Sequence, residues 1–384
     1  MESENDRRGQ EEFGVVMATI ASIRRNVKGR NFFPALDPEE REGFVGETLD
    51  AVGKAFEAIG IPHISLDGVK ETGDAIEYDD VQSMGLVPEM PLPLGERTGF
   101  VFDDERAVQP SPLRRRLAAT CGVEDHIQMT AGAIGLDPES AWALLDKLDT
   151  AVNDRVEYAF RRDIGYLTAD ASRAGSTLDL SVFVIPIGLD ISNRAEETVR
   201  EMRSRGCVFD KNGMVPGLFS GLCKVSCNGG RNRREAGVAH SFRRTIEELV
   251  ERELEARDEL FDDGYSFLVD AVSRDLATLK NAFAITADEA IAKLWTVDYG
   301  LASDILRGSC RYGIRDMIAF MRSPQFALAY CKSSSKSETW EIFNGLFSSD
   351  QDERNDAEDE MDIRRAEFLR GALRNIRVAQ GFSL

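Results

Sequence analysis

Few residues of this 384-residue chain have the type and spacing that chemistry needs. There are six cysteines and three histidines. Cys223 and Cys227 stand four apart, but no second cysteine pair and no histidine pair lies near them, so a zinc site is not completed. His63, His126 and His240 give no metal spacing. Gly213, Gly217 and Gly221 punctuate a loop that lacks the closing Gly-Lys-Ser/Thr of a phosphate-cradling turn, and it reads as a plain turn-rich connection. Glu124 and His126, with Asp125 between them, remain as an acid and an imidazole close together.

The elements that must position these residues are legible in part. Val45, Leu49, Val52, Phe56 and Ile59 form a helical stripe, and Asp37-Pro38-Glu39-Glu40 is its start signal. The pattern from Phe13 to about Gly60 therefore predicts a small helical N-terminal part. Asp137-Pro138-Glu139 repeats the signal before a helix over 141–160, with Leu144, Leu145, Leu148, Val152 and Val156 on one side. Leu178 to Leu189 turns continuously apolar and predicts a buried strand. Short strands are expected at 207–209 and 222–226, around the glycine-rich loop. From Thr245 the pattern is helical, with further helices at 265–283, 286–295, 298–306 and 313–322. Asp350 to Asp362 holds eight acidic residues against one arginine and reads as a solvated or disordered linker. A short basic helix over 363–378 closes the chain.

Composition excludes several classes. With 47 basic and 67 acidic residues the net charge is −20, which opposes nucleic-acid binding through the overall field. No apolar run approaches a membrane span. Residues 1–12 read as a disordered polar arm without a secretory signal, so a cytoplasmic location and reduced thiols are expected.

Four segments, in order, resemble the bacterial protein-arginine kinases (McsB-type) of the ATP:guanido phosphotransferase fold. Arg25-Asn26 followed by Phe32-Phe33-Pro34 resembles an "RN…FP" entry. Glu124-Asp125-His126-Ile127 resembles "NEEDHxR". Tyr158-Ala159-Phe160 with Gly165-Tyr166-Leu167-Thr168-Ala169 is similar to "YAF…GYLTxCPTNxGTGLRAS". Asp362-Ile363-Arg364-Arg365-Ala366 is similar to "RDxxRA". The resemblance implies an α/β (α+β) fold: an antiparallel sheet flanked by helices, a small N-terminal helical part and a helical C-terminal domain. The expected division is an arm at 1–12, a phosphotransferase-like domain at 13–244, a helical dimerisation or regulatory domain at 245–349, an acidic linker at 350–362 and a basic helix at 363–384.

The reaction implied moves the γ-phosphoryl of Mg-ATP onto a guanidinium nitrogen. Its catalysis rests on positioning and electrostatic clamping, with arginine forks on the phosphates and carboxylates on the acceptor. Laid on that pattern, the paired arginines of "SSRIRLARN" fall on Ile20 and Ser22, and a slip of two residues offers Arg24 instead. The arginine of "EDHxR" is Gln128, that of "GLRAS" is Asp179, and that of the turn before the glycine-rich loop is Asp210, with Lys211 beside it as an imperfect stand-in. The cysteine falls on Asp170, and 211–234 contains no second acid. Glu124 survives as the guanidinium ligand and base, and His126 as a nucleotide contact. Each charge-assisted bond to phosphate is worth roughly 1.5–3 kcal/mol, so losing three or four removes on the order of 5–10 kcal/mol. In the last segment Asp362 and Arg365 match a phosphoarginine-binding element whose leading arginine is Met361 here.

The reading that follows is a catalytically degenerate relative with a regulatory or adaptor role in protein quality control. It is expected to be a homodimer with protein partners, an unfoldase-protease system or an active arginine kinase. The first alternative is an active kinase that uses Mg-ATP, with Lys211, Arg24, Arg97, Arg173 and Arg231–Arg234 as replacement cations. The second is a structural oligomer built on the helical domain alone.

Overall fold

The structure, a computed structural model, describes residues 14–67, 99–103, 117–210, 223–228, 235–262, 265–310, 312–319, 321 and 351–379. The expected arm, Lys211, the glycine-rich loop, Arg97 and the 231–234 arginines lie outside the described residues. The described residues fall into two compact units, one drawn from within 14–184, 200–210 and 224–249, the other from within 185–199, 223 and 250–379.

The first unit opens with a strand, β1 (Val16–Arg25), not with helix. This corrects the expected helical N-terminal part. β1 lies inside the sheet and its burial alternates, but its buried face carries Thr19, Ala21 and Arg25 while the other face carries Ala18 and Ile20, so residue type does not alternate with burial. That stripe belongs to helix α1 (Pro38–Ala58), which starts at the expected proline and buries Val45, Leu49, Val52 and Phe56. Then come β2 (His63–Asp67), β3 (Gly99–Asp103), β4 (Leu117–Cys121), β5 (Ile127–Ile134) and helix α2 (Pro138–Asn153). The Asp137 carboxylate caps α2 by accepting from Ser140 N at 3.1 Å. A small hairpin, β6 (Phe160–Arg161) and β7 (Gly165–Tyr166), precedes β8 (Asp179–Val184).

The large sheet has eight strands in the order β2-β3-β4-β5-β1-β8-β10-β9, where β9 is Val208–Asp210 and β10 is Cys223–Asn228. β1 pairs antiparallel with both β5 and β8, and β4 with β5. The register sorts the side chains cleanly. Thr19, Ala21, Ile23 and Arg25 share a face with Ile127, Met129, Ala131 and Ala133, and all eight are buried against the α1 and α2 side. Ser22, Arg24, Thr120, Gln128, Thr130, Asp179 and Ser181 line the opposite face. The core is thus on one side of the sheet, and a polar surface on the other.

The expected strand to Leu189 stops at Val184. Pro186 ends it, and a short helix α3 (Ile187–Ile191) follows. α3 belongs to the second unit and is held by Glu253, whose carboxylate accepts from Gly188 N at 2.8 Å and Leu189 N at 2.9 Å. A Cβ on Gly188 would lie 2.8 Å from Arg257 N, so only glycine permits this approach. After α4 (Ala195–Ser204), the helix expected from Thr245 is α5 (Glu235–Asp262), which starts earlier.

The second unit packs α6 (Tyr265–Asn281), α7 (Ala287–Ala302), α8 (Ile314–Ala319) and α9 (Gln351–Ala372) around Leu268, Val272, Leu276, Leu294, Val297, Met317 and Leu369. α7 is one helix where two were expected. The predicted linker at 350–362 is corrected as well: from Gln351 it is the first half of α9. Ala357 and Met361 are its buried stripe, continued by Arg365 and Leu369, while most of its acids face water. Two apolar residues in so acidic a run are a faint signal, and acids in a first turn favour the helix dipole. The basic helix expected to reach Val378 ends at Ala372, and Arg377–Val378 pairs as a strand with Leu306–Arg307.

Candidate functional site

Arg24 and Arg25 are neighbours on a strand and therefore point to opposite faces. Arg25 turns inward. It is 1% exposed, and its guanidinium meets Asp149 of α2 through two bonds, at 2.9 and 2.6 Å. It also donates to Thr177 Oγ1 at 2.6 Å and lies 3.5 Å from the Tyr166 ring centre. Thr177 has φ +58°, a left-handed conformation that suits the glycine of the resembled "GTG". Its hydroxyl offsets that strain by bridging the Arg24 backbone, accepting from N at 3.2 Å and donating to O at 3.0 Å.

His126 also points inward, which corrects its expected role as a nucleotide contact. It is fully buried, with its ring edge-on to Phe44 at 4.4 Å. Nδ1 accepts from Val27 N at 2.9 Å, so the proton sits on Nε2, which donates to Asn31 O at 2.8 Å. Burial pushes its pKa below the ordinary imidazole value. The folded state thus binds a proton less readily than the unfolded chain. The stability this contributes is present above about pH 6.5 and is lost as pH falls through the lowered folded pKa, with a slope of at most about 1.4 kcal/mol per pH unit. Urea unfolding between pH 7.5 and 5 is expected to show that loss, and His126→Gln to flatten it. An equal slope in both proteins would refute this role.

Asn26 ties the matching segments together. Its amide donates to Asp125 Oδ1 at 2.6 Å and Leu167 O at 2.9 Å, and its oxygen accepts from His126 N at 2.9 Å. Asp125 also accepts from Ala169 N at 2.8 Å. The first three segments that carry the resemblance thus meet in one buried hydrogen-bond network that fixes the ends of β1, β4, β5 and β7.

The polar face has a different character. Arg24, 5% exposed, donates from Nη1 to Asp179, the residue that stands in place of a phosphate-binding arginine. Its Nε lies 3.9 Å from Asp125 Oδ2 and makes no hydrogen bond among the described residues. Gln128 is Arg24's direct partner across β1 and β5, is also 5% exposed, and its amide nitrogen has no bond among the described residues. Glu124 sits half-buried in the turn between β4 and β5, with no hydrogen bond or ion pair among the described residues. Asp170 caps the short turn 171–173 through Ser172 N at 2.9 Å and lies 3.5 Å from Arg173. These bonds, that to Ser172 first, hold its carboxyl below the usual range. Asp210 ends β9 opposite Lys224. Among the described residues no group of three or more His, Cys, Asp or Glu is set to hold a metal ion.

In the second unit, Arg365 corrects a further expectation. It is fully buried, with Nε on Met321 O at 2.9 Å and Nη1 on Ile285 O at 2.7 Å and on Asp362. Burial lowers the Arg365 pKa and raises that of Asp362. The pair is a strut that satisfies two backbone carbonyls, not an open phosphoarginine-binding fork. The sequence signals that would have revealed this, Ile285 and Met321, are backbone contacts and leave no residue-type pattern.

Comparison with known proteins agrees with this architecture. Residues 104–255 match the model of the ATP:guanido phosphotransferase C-terminal catalytic domain. The chain is 22% identical to a protein-arginine kinase of Halothermothrix orenii over 296 residues, 77% of this chain and 81% of that one. It is 21% identical to that of Clostridium acetobutylicum over 333 residues, covering 84% and 92%. It is 25% identical to that of an Exiguobacterium species over 292 residues, covering 76% and 79%. Among solved structures, lombricine kinase superposes with a TM-score of 0.51 at 14% identity, over 66% of this chain and 68% of that one. The duplicated taurocyamine kinase from Schistosoma mansoni with bound transition-state analogue components gives 0.50 at 16%, over 62% and 33%. Among the described residues no helix is long and apolar enough to cross a membrane. Fold, motif order and these likenesses agree: residues 104–255 are similar to the ATP:guanido phosphotransferase catalytic domain, and most of the chain is similar to the bacterial protein-arginine kinases.

Proposed function

We propose that this chain is a catalytically degenerate protein-arginine-kinase relative that works by binding proteins. One observation carries the reading: Arg24, the arginine on the polar face of β1, is held by Asp179. An ion pair inside the protein occupies the guanidinium that would otherwise pair with phosphate, and Gln128 beside it brings no charge. Opposed charges so close neutralise one another, and a polyphosphate brought near would meet Asp179 as a repelling neighbour.

Calorimetric titration of the full chain with Mg-ADP and Mg-ATP tests this. The expected result is no heat up to millimolar nucleotide, a binding free energy weaker than about −4 kcal/mol. Micromolar binding would overturn it. Glu124 motivates the alternative, an active kinase, because it is half-buried in the turn between β4 and β5 and stands where the resembled segment has the acid that holds the acceptor guanidinium. Radiolabel transfer from ATP to protein arginines, abolished by Glu124→Gln, would establish that reading instead. The partners proposed with this reading are proteins: an unfoldase-protease system, an active arginine kinase, or a second copy of this chain.

A further inference from the structure

The edge of the large sheet carries two cysteines that nothing above uses. β9 and β10 pair antiparallel, with Asp210 opposite Lys224, Phe209 opposite Val225 and Val208 opposite Ser226. Cys207 lies one residue before β9, and extending that register by one step sets it opposite Cys227, with which its thiol interacts electrostatically. Side chains alternate along a strand, so Cys207 falls on the side of Phe209 and Cys227 on the side of Val225, two residues that oppose each other directly. Both thiols therefore leave the ladder on one face. Opposed residues of an antiparallel pair have Cα atoms about 4.5–5.5 Å apart, inside the disulfide range of about 4.4–6.8 Å. Cys207 N donates to Met202 O at 3.1 Å, so the pair does not exchange both ladder bonds. Opposed residues without those bonds approach most closely. Neither cysteine is in a disulfide; Cys207 is 4% exposed and Cys227 partly exposed.

We infer that Cys207 and Cys227 form an oxidisable dithiol, which closes to a cross-strand disulfide and tethers the edge strand β9 to β10. The oxidant class is a small disulfide such as oxidised glutathione. Cys227, the more exposed, loses its proton and attacks one sulfur, displacing a glutathione thiolate and forming a mixed disulfide. Cys207 then loses its proton and attacks the Cys227 sulfur, releasing the second glutathione thiolate. Two protein thiols are oxidised and one small disulfide is reduced to two thiols. Burial, with a contribution from Cys227, pushes the Cys207 thiol up to about 11, so the second step speeds up as pH rises. The tether holds the strand that ends in Asp210.

The test treats the full chain with oxidised glutathione at pH 8, blocks remaining thiols and maps the peptides by mass spectrometry. The expected product has lost two hydrogens and links the peptides of Cys207 and Cys227, and a dithiol reductant reverses it. Hydrogen exchange at Val208–Asp210 is expected to slow several-fold in that product. Cys207→Ser should stop at a glutathione adduct on Cys227, and Cys227→Ser should form no link. A persistent adduct on Cys227 in the unaltered protein, a link to another cysteine, or no reaction would overturn the inference. The peptide map of the unaltered protein decides even where a variant fails to fold.

Discussion

A chain carrying Arg24→Ala, Gln128→Arg and Asp179→Arg together is expected to bind Mg-ADP at least about 100-fold more tightly than the natural sequence. The three changes follow the resembled segments, which have alanine where Arg24 stands and arginines where Gln128 and Asp179 stand. Gln128 and Asp179 share the polar face of the sheet, linked through Arg24 and Ser22 of the central strand. Removing Arg24 and Asp179 together dissolves their ion pair and leaves neither charge buried alone. Two new guanidiniums then face the nucleotide. At roughly 1.5–3 kcal/mol for each charge-assisted bond they supply about 3–6 kcal/mol, or 100- to 10,000-fold in affinity. Asp179→Asn alone frees Arg24 and is expected to give a smaller gain. Phosphoryl transfer is not expected to return, because Asp170 still stands where the resembled segment has cysteine. Calorimetry on the folded triple variant checks this. Unchanged affinity would mean that the altered clamp is not what sets nucleotide binding.

The residues that match the family and those that depart from it do different physical work. Arg25, Asn26, Asp125 and His126 match, and all four are buried, Arg25 in bonds to Asp149 and Thr177 and the others in bonds to backbone or to one another. Ser22, Gln128 and Asp179 depart, and all three lie on the polar face. The fold is retained by the first group, while the second is free to change without loss of the core. Sequence reasoning found α1 and α2 because Asp-Pro starts and apolar stripes are local signals. It missed β1 because Thr19 and Arg25 stand on its buried face and Ala18 and Ile20 on the other, so residue type does not alternate although burial does. It named Arg24 without its consequence, because Asp179 comes to it only through strand pairing. His126 and Arg365 looked chemically active by type. Their bonds to Val27, Asn31, Ile285 and Met321 are to backbone atoms, which leave no trace in residue identity.

Asp149→Ala is expected to destabilise the sheet unit by about 3–5 kcal/mol, the usual effect of stripping one partner from a buried ion pair. Arg25 cannot shed its proton, and at 1% exposure it has no route to water. Its remaining bonds, to Arg24 O at 2.9 Å, Ser176 O at 3.5 Å and Thr177 Oγ1 at 2.6 Å, are to neutral oxygens. The Tyr166 ring beneath it adds only about 0.5–2 kcal/mol of attraction for the cation. The sequence separation also matters. Asp149 lies 124 residues from Arg25, so the pair fastens α2 to the central strand. Urea unfolding followed by the fluorescence of Trp142, on α2 itself, reads this directly. Arg25→Met with Asp149→Leu removes both charges, and that double variant is expected to recover most of the loss, because apolar residues of similar size can replace a buried pair with little penalty. A loss under about 0.5 kcal/mol for Asp149→Ala would show that Arg25 is held by its tyrosine and threonine contacts instead. If the double variant were as unstable as the single, the carboxylate would be acting through the backbone of α2, where Asp149 O also accepts from Tyr158 at 3.1 Å, and not through the arginine.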